Sequence, residues 1–323
     1  MDALTKRNHS NPCFWTAYWN EAYYEARITG CGEELEARKQ PILALNVRAN
    51  KIIPTIVDEV HVDKGMGVAN IEPQSMKAFC KRHFPDRYEK FCREIDEHPD
   101  ALLLDFENVF TGIEATPAYR TLHKVIEQQG LAGPEDKCNI ACFIVLQQMR
   151  SHAILKSMIE AFEMVGIDKW EYFWMLKQCL GDRDSLFRMV NPIAISQWIV
   201  YRAVSHMFPL PDSPVLVNDG HIMVAISPRM LVEVNLRVRT SECSWIDKQG
   251  VHKSKLREYR RRAISNTFKE LIFHDPDILR SWQETPEFRK RVSLIADAES
   301  YNTLVALDEK RQLLHINALG NAL

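Results

Sequence analysis

Ile140-Ala141-Cys142-Phe143-Ile144-Val145-Leu146-Gln147-Gln148-Met149-Arg150 is the stretch on which the fold turns. Wound as a helix it is apolar on nearly every side, which marks a central, buried helix rather than a surface one. Gly133-Pro134-Glu135-Asp136 opens it. Proline suits a first helical position, and acids suit the positive end of the helix dipole. The pattern carries the helix to about Val165. Gln147 and Arg150 are three residues apart and so share one side of it.

Working outward, two more helices are expected at about 169–180 and 192–207, the second opened by Asn191-Pro192. Phe208-Pro209-Leu210-Pro211-Asp212-Ser213-Pro214 cannot be helix interior. Val215–Val217, Ile222–Ile226 and Met230–Leu236 then read as three short strands. Asn218-Asp219-Gly220 and Ser227-Pro228-Arg229 make the turns between them. An amphipathic helix is expected from Lys253 to about Phe273. The tail, 283–323, is mixed, with a candidate strand at Leu313–Ile316.

Toward the N-terminus, residues 74–129 have helical periodicity punctuated by Pro85, Pro99 and Pro117. Residues 41–47 and 52–57 are β-branched and apolar around the turn Ala49-Asn50-Lys51, and Pro54 places the second strand at a sheet edge. Phe14, Trp15, Tyr18, Trp19, Tyr23 and Tyr24 follow helical spacing. They read as an aromatic stripe against the core, with a stacking platform for a base or sugar as the alternative. The strands thus fall near 41–63 and 214–236, with a helical block between. Isolated hairpins are marginal. The expectation is therefore one α+β domain over 1–323, with a helical block packed on one small sheet built from both clusters. Residues 283–323 are a C-terminal extension.

The composition sets bounds. Of 323 residues, 46% are hydrophobic and 26% charged, with a net charge of −2, which argues against a dedicated electrostatic binder of nucleic acid. No apolar run reaches the ~18–20 residues of a membrane helix, so no membrane partner is expected. The first thirty residues are charged and lack an apolar signal core. Eight dispersed cysteines then read as reduced thiols of a cytoplasmic protein. The sequence specifies no oligomeric state.

Several local patterns line up in order: His9-Ser10-Asn11-Pro12, Ile113-Glu114 before a helix, Gln147-x-x-Arg150, Asp212-Ser213-Pro214 before a strand, Ile226-Ser227-Pro228 at a turn, and Ala263-x-x-Asn266 in the late helix. This succession resembles the bacterial family called domain of unknown function 4238. Its members begin His-Tyr-Val-Pro and carry Ile-Glu, Gln-x-x-Arg-Thr, Ser-Asp-Asn-Pro and Leu-Ser-Pro. The resemblance spans about 9–275. The chain departs from it in the polar Ser10-Asn11, in Ser151 after Arg150, and in Ser213 in place of Asn. The resemblance implies the fold arrangement above and brings no settled activity.

A buried Arg150 needs an anionic partner, and Glu107, Glu114 and Asp212 are the candidates. Either the pair is an internal bridge fixing the helix, or Arg150 is an anion clamp in a polar pocket. His9, Glu107, Glu114, Arg150 and Asp212 form a candidate catalytic set for metal-assisted phosphodiester hydrolysis. Glu107, Glu114 and Asp212 would hold Mg²⁺, His9 would act as base and Arg150 would stabilise charge. Gln147, Arg262 and Asn266 are candidate substrate contacts. Zinc at Cys80, His83, Cys92 and His98 is a weaker fit, because the spacings are loose. Cys138 and Cys142 read as core positions on one helix face. The basic run Lys253, Lys255, Arg257, Arg260, Arg261 and Arg262 is either a solvated face or a phosphate-contacting surface. The leading expectation is an intracellular nuclease or phosphodiesterase-like enzyme of the defence or toxin-effector kind. The alternative is a non-enzymatic protein using the pocket around Arg150 for an anionic ligand or a protein partner.

Overall fold

The computed structural model describes residues 8–31, 35–63, 68–98, 103–105, 112, 114–240 and 244–296. At its centre is the helix Pro134–Arg150, with proline in the first turn, as the sequence implies. Ile140, Ala141, Phe143 and Ile144 are fully enclosed. The helices Pro117–Glu127 and Arg183–Ala194 flank it. The helix ends at Arg150: Ser151 leaves the helical region (φ −56°, ψ 128°), and a separate helix, His152–Met164, follows. The expectation of one helix running to Val165 is corrected at that point.

The protein is α+β, but the strand clusters near 41–63 and 214–236 do not share one sheet. A five-stranded sheet runs Trp245–Gln249, Ser196–Arg202, Met230–Arg239, His221–Ser227 and Leu216–Asn218 in spatial order. Only the pairing of 245–249 with 196–202 is parallel. A four-stranded antiparallel sheet runs Lys51–Ile56, Pro41–Asn46, Glu270–Phe273 and Leu210–Pro211.

Two misread segments explain the difference. The helix expected at 192–207 stops at Ala194, and Ser196–Arg202, rich in β-branched and aromatic residues, becomes the strand beside Met230–Arg239. The helix expected to reach Phe273 stops at Ser265, and Glu270–Phe273 becomes the partner of Pro41–Asn46. The 214–236 cluster thus finds its third strand nearby in sequence, whereas the 41–63 cluster takes its own from far along the chain. Pro54 does lie on an edge strand. The turn at Asp219-Gly220 has positive φ at both residues (47° and 76°), the geometry of a two-residue hairpin loop.

The N-terminal aromatic stripe is core. Trp15, Tyr18, Trp19, Tyr23 and Tyr24 are buried. The indole N–H of Trp15 donates to the Ile226 carbonyl at 2.8 Å, and that of Trp19 to Phe208 at 2.6 Å. A second apolar cluster, including Phe79, Leu155, Trp170 and Phe173, joins the helices Pro73–His83, His152–Met164 and Lys169–Gly181. Lys137 is also enclosed, its ammonium donating to the carbonyls of Ser196 (3.0 Å) and Ser244 (2.9 Å). That contact ties the central helix to the five-stranded sheet.

Cys142 packs partly against the core, but Cys138 is exposed, so the pair does not form a buried face. No described helix is long and apolar enough to cross a membrane. The candidate strand at 313–316, Cys243 and Glu107 lie outside the described residues.

Candidate functional site

The last turn of the central helix meets the N-terminal segment. Arg150 Nε donates to the His9 carbonyl at 2.7 Å, and Nη1 pairs with the Glu114 carboxylate. One turn back, Gln147 Nε2 donates to the Ser10 carbonyl at 2.6 Å and to Asn11 Oδ1 at 2.8 Å. The Asn11 amide donates in turn to the Pro211 carbonyl at 3.1 Å and faces His61 Nδ1 at 2.8 Å. All of these groups but Glu114 are buried. A buried amide or guanidinium is costly unless its hydrogen bonds are met, and here the His9 and Ser10 carbonyls and the Asn11 side chain accept from the Gln147 amide and from Arg150 Nε, leaving Gln147 Oε1 buried without a partner among the described residues. This explains the polar Ser10-Asn11 pair: an apolar residue at 11 would strand both Gln147 and the Pro211 carbonyl.

With that tether in place, a cavity of about 350 Å³ opens beside Arg150. His9, Cys13, Phe14, Glu36, Ala37, Arg38, Glu114 and Arg150 line it. His9 sits on the two-residue strand Asn8–His9, paired with Val62–Asp63. Cys13 opens the short helix Cys13–Thr16 after Pro12. Asp58, on the 3-10 turn Val57–Glu59, places a carboxylate oxygen 3.7 Å from His9 Nε2. Arg38 reaches the same oxygen at 3.2 Å.

Burial pulls His9 down to about 4, with Arg150 and Arg38 adding to the effect and Asp58 opposing it. The ring is therefore neutral at neutral pH and carries a lone pair. Burial pushes the Cys13 thiol up to about 12. His9, Cys13 and Asp58 each offer a ligand atom, all within 4.8 Å of one another, so these three could hold a metal ion at the cavity wall. No three of Cys80, His83, Cys92 and His98 come together in this way among the described residues.

The structure therefore brings His9, Glu114 and Arg150 to one cleft, and among the described residues the other sequence candidates lie elsewhere. Asp212, expected to be a catalytic residue and metal ligand, is a backbone clamp. Its carboxylate accepts the N–H groups of Phe268 (3.0 Å) and Lys269, at the start of the segment leading into Glu270–Phe273. Gln147 is sealed beneath residues 10 and 11 and holds them rather than a ligand. Arg262 pairs with Glu258 along its own helix, and Asn266 caps that helix by donating to the Arg262 carbonyl at 2.9 Å. Neither lines the cavity. Lys255 is likewise paired, with Glu233 at 2.9 Å and Glu258 at 2.7 Å, while Arg257 and Arg261 are exposed.

Compared with known proteins, the chain matches no protein-family model, no curated protein and no solved structure. Local geometry still bears on the patterns noted in the sequence. Ser151 and Ser213, the two positions where the chain departs from the pattern it resembles after Arg150 and before Pro214, share a hydrogen bond at 2.9 Å. Cys13, Asp58 and His61 were not singled out by sequence. Cys13 directly follows His9-Ser10-Asn11-Pro12, which was the available signal. Asp58 and His61 lie in a polar turn after an edge strand, where spacing carries no information about what they face.

Proposed function

We propose that the cleft beside Arg150 is the active site of a metal-assisted hydrolase acting on phosphate esters, with phosphodiesters, nucleic acids included, as the substrate class. The observation that carries this reading is the convergence of His9, Cys13, Glu114 and Arg150 from separate chain segments on one cavity. His9 is neutral and so ligand-ready, and Asp58 adds a carboxylate beside it. A nitrogen, sulfur and oxygen set suits a zinc-class ion better than Mg²⁺, which favours oxygen ligands. The Mg²⁺ expectation rested on three carboxylates; of the two that are described, Glu114 lines the cavity and Asp212 does not.

In this reading the guanidinium of Arg150, fixed in direction by the His9 carbonyl, faces the phosphoryl oxygens and stabilises charge as water adds to phosphorus. Glu114 takes the proton of the attacking water, the bond from phosphorus to one alcohol oxygen breaks, and the proton returns to that oxygen. Arg38, at the rim, guides the anionic substrate inward. A defence or toxin-effector role, and kinship with the family the sequence resembles, belong to the same proposal.

The second reading is recognition of an anion without chemistry, favoured by the Arg150–Glu114 pair, which keeps the guanidinium neutralised in a rigid setting. Purified protein supplied with Zn²⁺, Mn²⁺ or Mg²⁺ is expected to cleave DNA, RNA or a chromogenic phosphodiester, and Glu114→Gln to lose at least about 100-fold in rate, the range of general acid–base catalysis. Equal cleavage by both proteins removes Glu114 from the mechanism. Saturable anion binding with no turnover under any metal selects the second reading.

A further inference from the structure

A second cluster of ligand atoms lies away from the cleft, where the loop after Ser196–Arg202 passes the end of Glu270–Phe273. His206 and His274 face each other there, with His206 Nδ1 3.3 Å from His274 Nε2 and the rings at 83°. Glu21, on the first turn of the helix Glu21–Ile28, brings a carboxylate oxygen to 4.0 Å from the same His274 nitrogen. Ligand atoms of all three fall within 4.8 Å of one another.

We propose that Glu21, His206 and His274 form a mononuclear site for a zinc-class divalent cation, bound through two imidazoles and one carboxylate, with a solvent-facing position left for water. Two nitrogens held about 2.0–2.1 Å from a tetrahedral ion lie about 3.3–3.4 Å apart. The separation of the two facing nitrogens matches this, and it is long for a direct nitrogen–nitrogen hydrogen bond. Glu21 is well exposed, so a small rotamer change closes its remaining gap.

The surroundings agree. The far nitrogen of His206, Nε2, is buried without a hydrogen-bond partner and lies 3.8 Å from Glu25. A carboxylate behind the ring is the usual second partner of a metal-bound histidine, orienting it and raising its basicity. Tyr24 packs edge-on against the His206 ring and limits its rotation. Among the described residues the charged neighbours are Glu21, Glu25 and Asp275 against Arg229, which itself pairs with Glu25, so the setting is net acidic. A bound ion would join the Glu21–Ile28 helix, the 203–209 loop and the end of Glu270–Phe273, three segments remote in sequence.

The test uses the full chain, stripped by chelation and titrated with Co²⁺ and Zn²⁺. The expected result is one ion bound here with the absorption of a nitrogen- and oxygen-ligated cobalt centre, retained in Cys13→Ser. His206→Ala and His274→Ala should abolish it. Glu21→Gln, a surface change that leaves the core intact, should weaken Zn²⁺ binding at least about 10-fold. A cobalt spectrum made up only of thiolate charge transfer that vanishes in Cys13→Ser would overturn the proposal and leave the ion at the cleft. Folded His206→Ala and His274→Ala proteins that bind as much metal as wild type would overturn it, as would no binding at micromolar Zn²⁺.

Discussion

Asp212→Ala separates a clamp from a metal ligand. The Asp212 carboxylate is buried and accepts the backbone N–H of Phe268 at 3.0 Å and of Lys269, while a third N–H, from Glu270, is at the long distance of 3.4 Å. Hydrogen bonds to a charged acceptor contribute about 1.5–3 kcal/mol each, and their loss also strands buried donors. Counting two such bonds and allowing for partial rescue by water, Asp212→Ala should cost about 3–5 kcal/mol. Asp212→Asn, which keeps one acceptor oxygen but turns an amide toward the donors, should cost about half as much. With a urea slope of roughly 3 kcal/mol per molar for a chain of this size, the alanine variant should lower the midpoint by about 1–1.7 M. Tryptophan fluorescence and circular dichroism across a urea series measure it. The reasoning fails if the alanine variant loses less than about 1 kcal/mol. It also fails if Asp212→Asn stays fully stable yet loses all metal-dependent turnover, because that is the behaviour of a ligand.

Acid should destabilise the protein well before ordinary carboxylates titrate. Burial pulls His9 to about 4 and His61 and His206 to about 3, against about 6.5 unfolded, so the unfolded chain binds more protons as pH falls below that value. Stability is then full above the unfolded value and is lost on the way down toward about 3–4, by on the order of 3–4 kcal/mol between pH 7 and 5.5 for the three together. Urea unfolding in chelator at the two pH values checks this. His61→Asn, compatible with the positive φ of 56° there, should remove about a third of the slope, and a flat profile in the wild type contradicts the account. Gln147→Leu should cost about 2–4 kcal/mol by stranding the Ser10 carbonyl and the Asn11 side chain, and should make residues 8–12 the first site of limited proteolysis. Unchanged protease resistance of that segment would mean that Gln147 does not hold it.

The central helix was legible because its apolar character has no surface alternative, and so were the hairpin turns, whose residues are dictated by backbone geometry. The division into two sheets was not legible. Ser196–Arg202 follows a helix without a break strong enough to mark a new strand, and Glu270–Phe273 is four residues long. Tertiary pairing, not local propensity, decides such segments. For the site, Arg150 is legible because a charge inside an otherwise apolar helix needs a partner. Glu114 was named among three carboxylates that sequence could not rank. Asp212 was misread because a carboxylate clamping backbone N–H groups and one binding a metal have the same sequence signature. Asp58 gave no signal, since its meeting with His9 depends on a two-residue strand pairing.

The tether around residues 9–11 has a consequence in time as well as space. Ser10 bonds to the carbonyl of Asp212, 202 residues away, and the backbone of His61 donates to Glu270, 209 residues away. Contacts of such separation form late, because the chain must close long loops before they contribute. During synthesis the segment carrying His9 and Cys13 emerges well before Glu270–Phe273, whose Glu270 accepts the His61 N–H. The nascent chain therefore exposes its reactive groups long before it can arrange them, and any activity of the cleft switches on only with the completed fold.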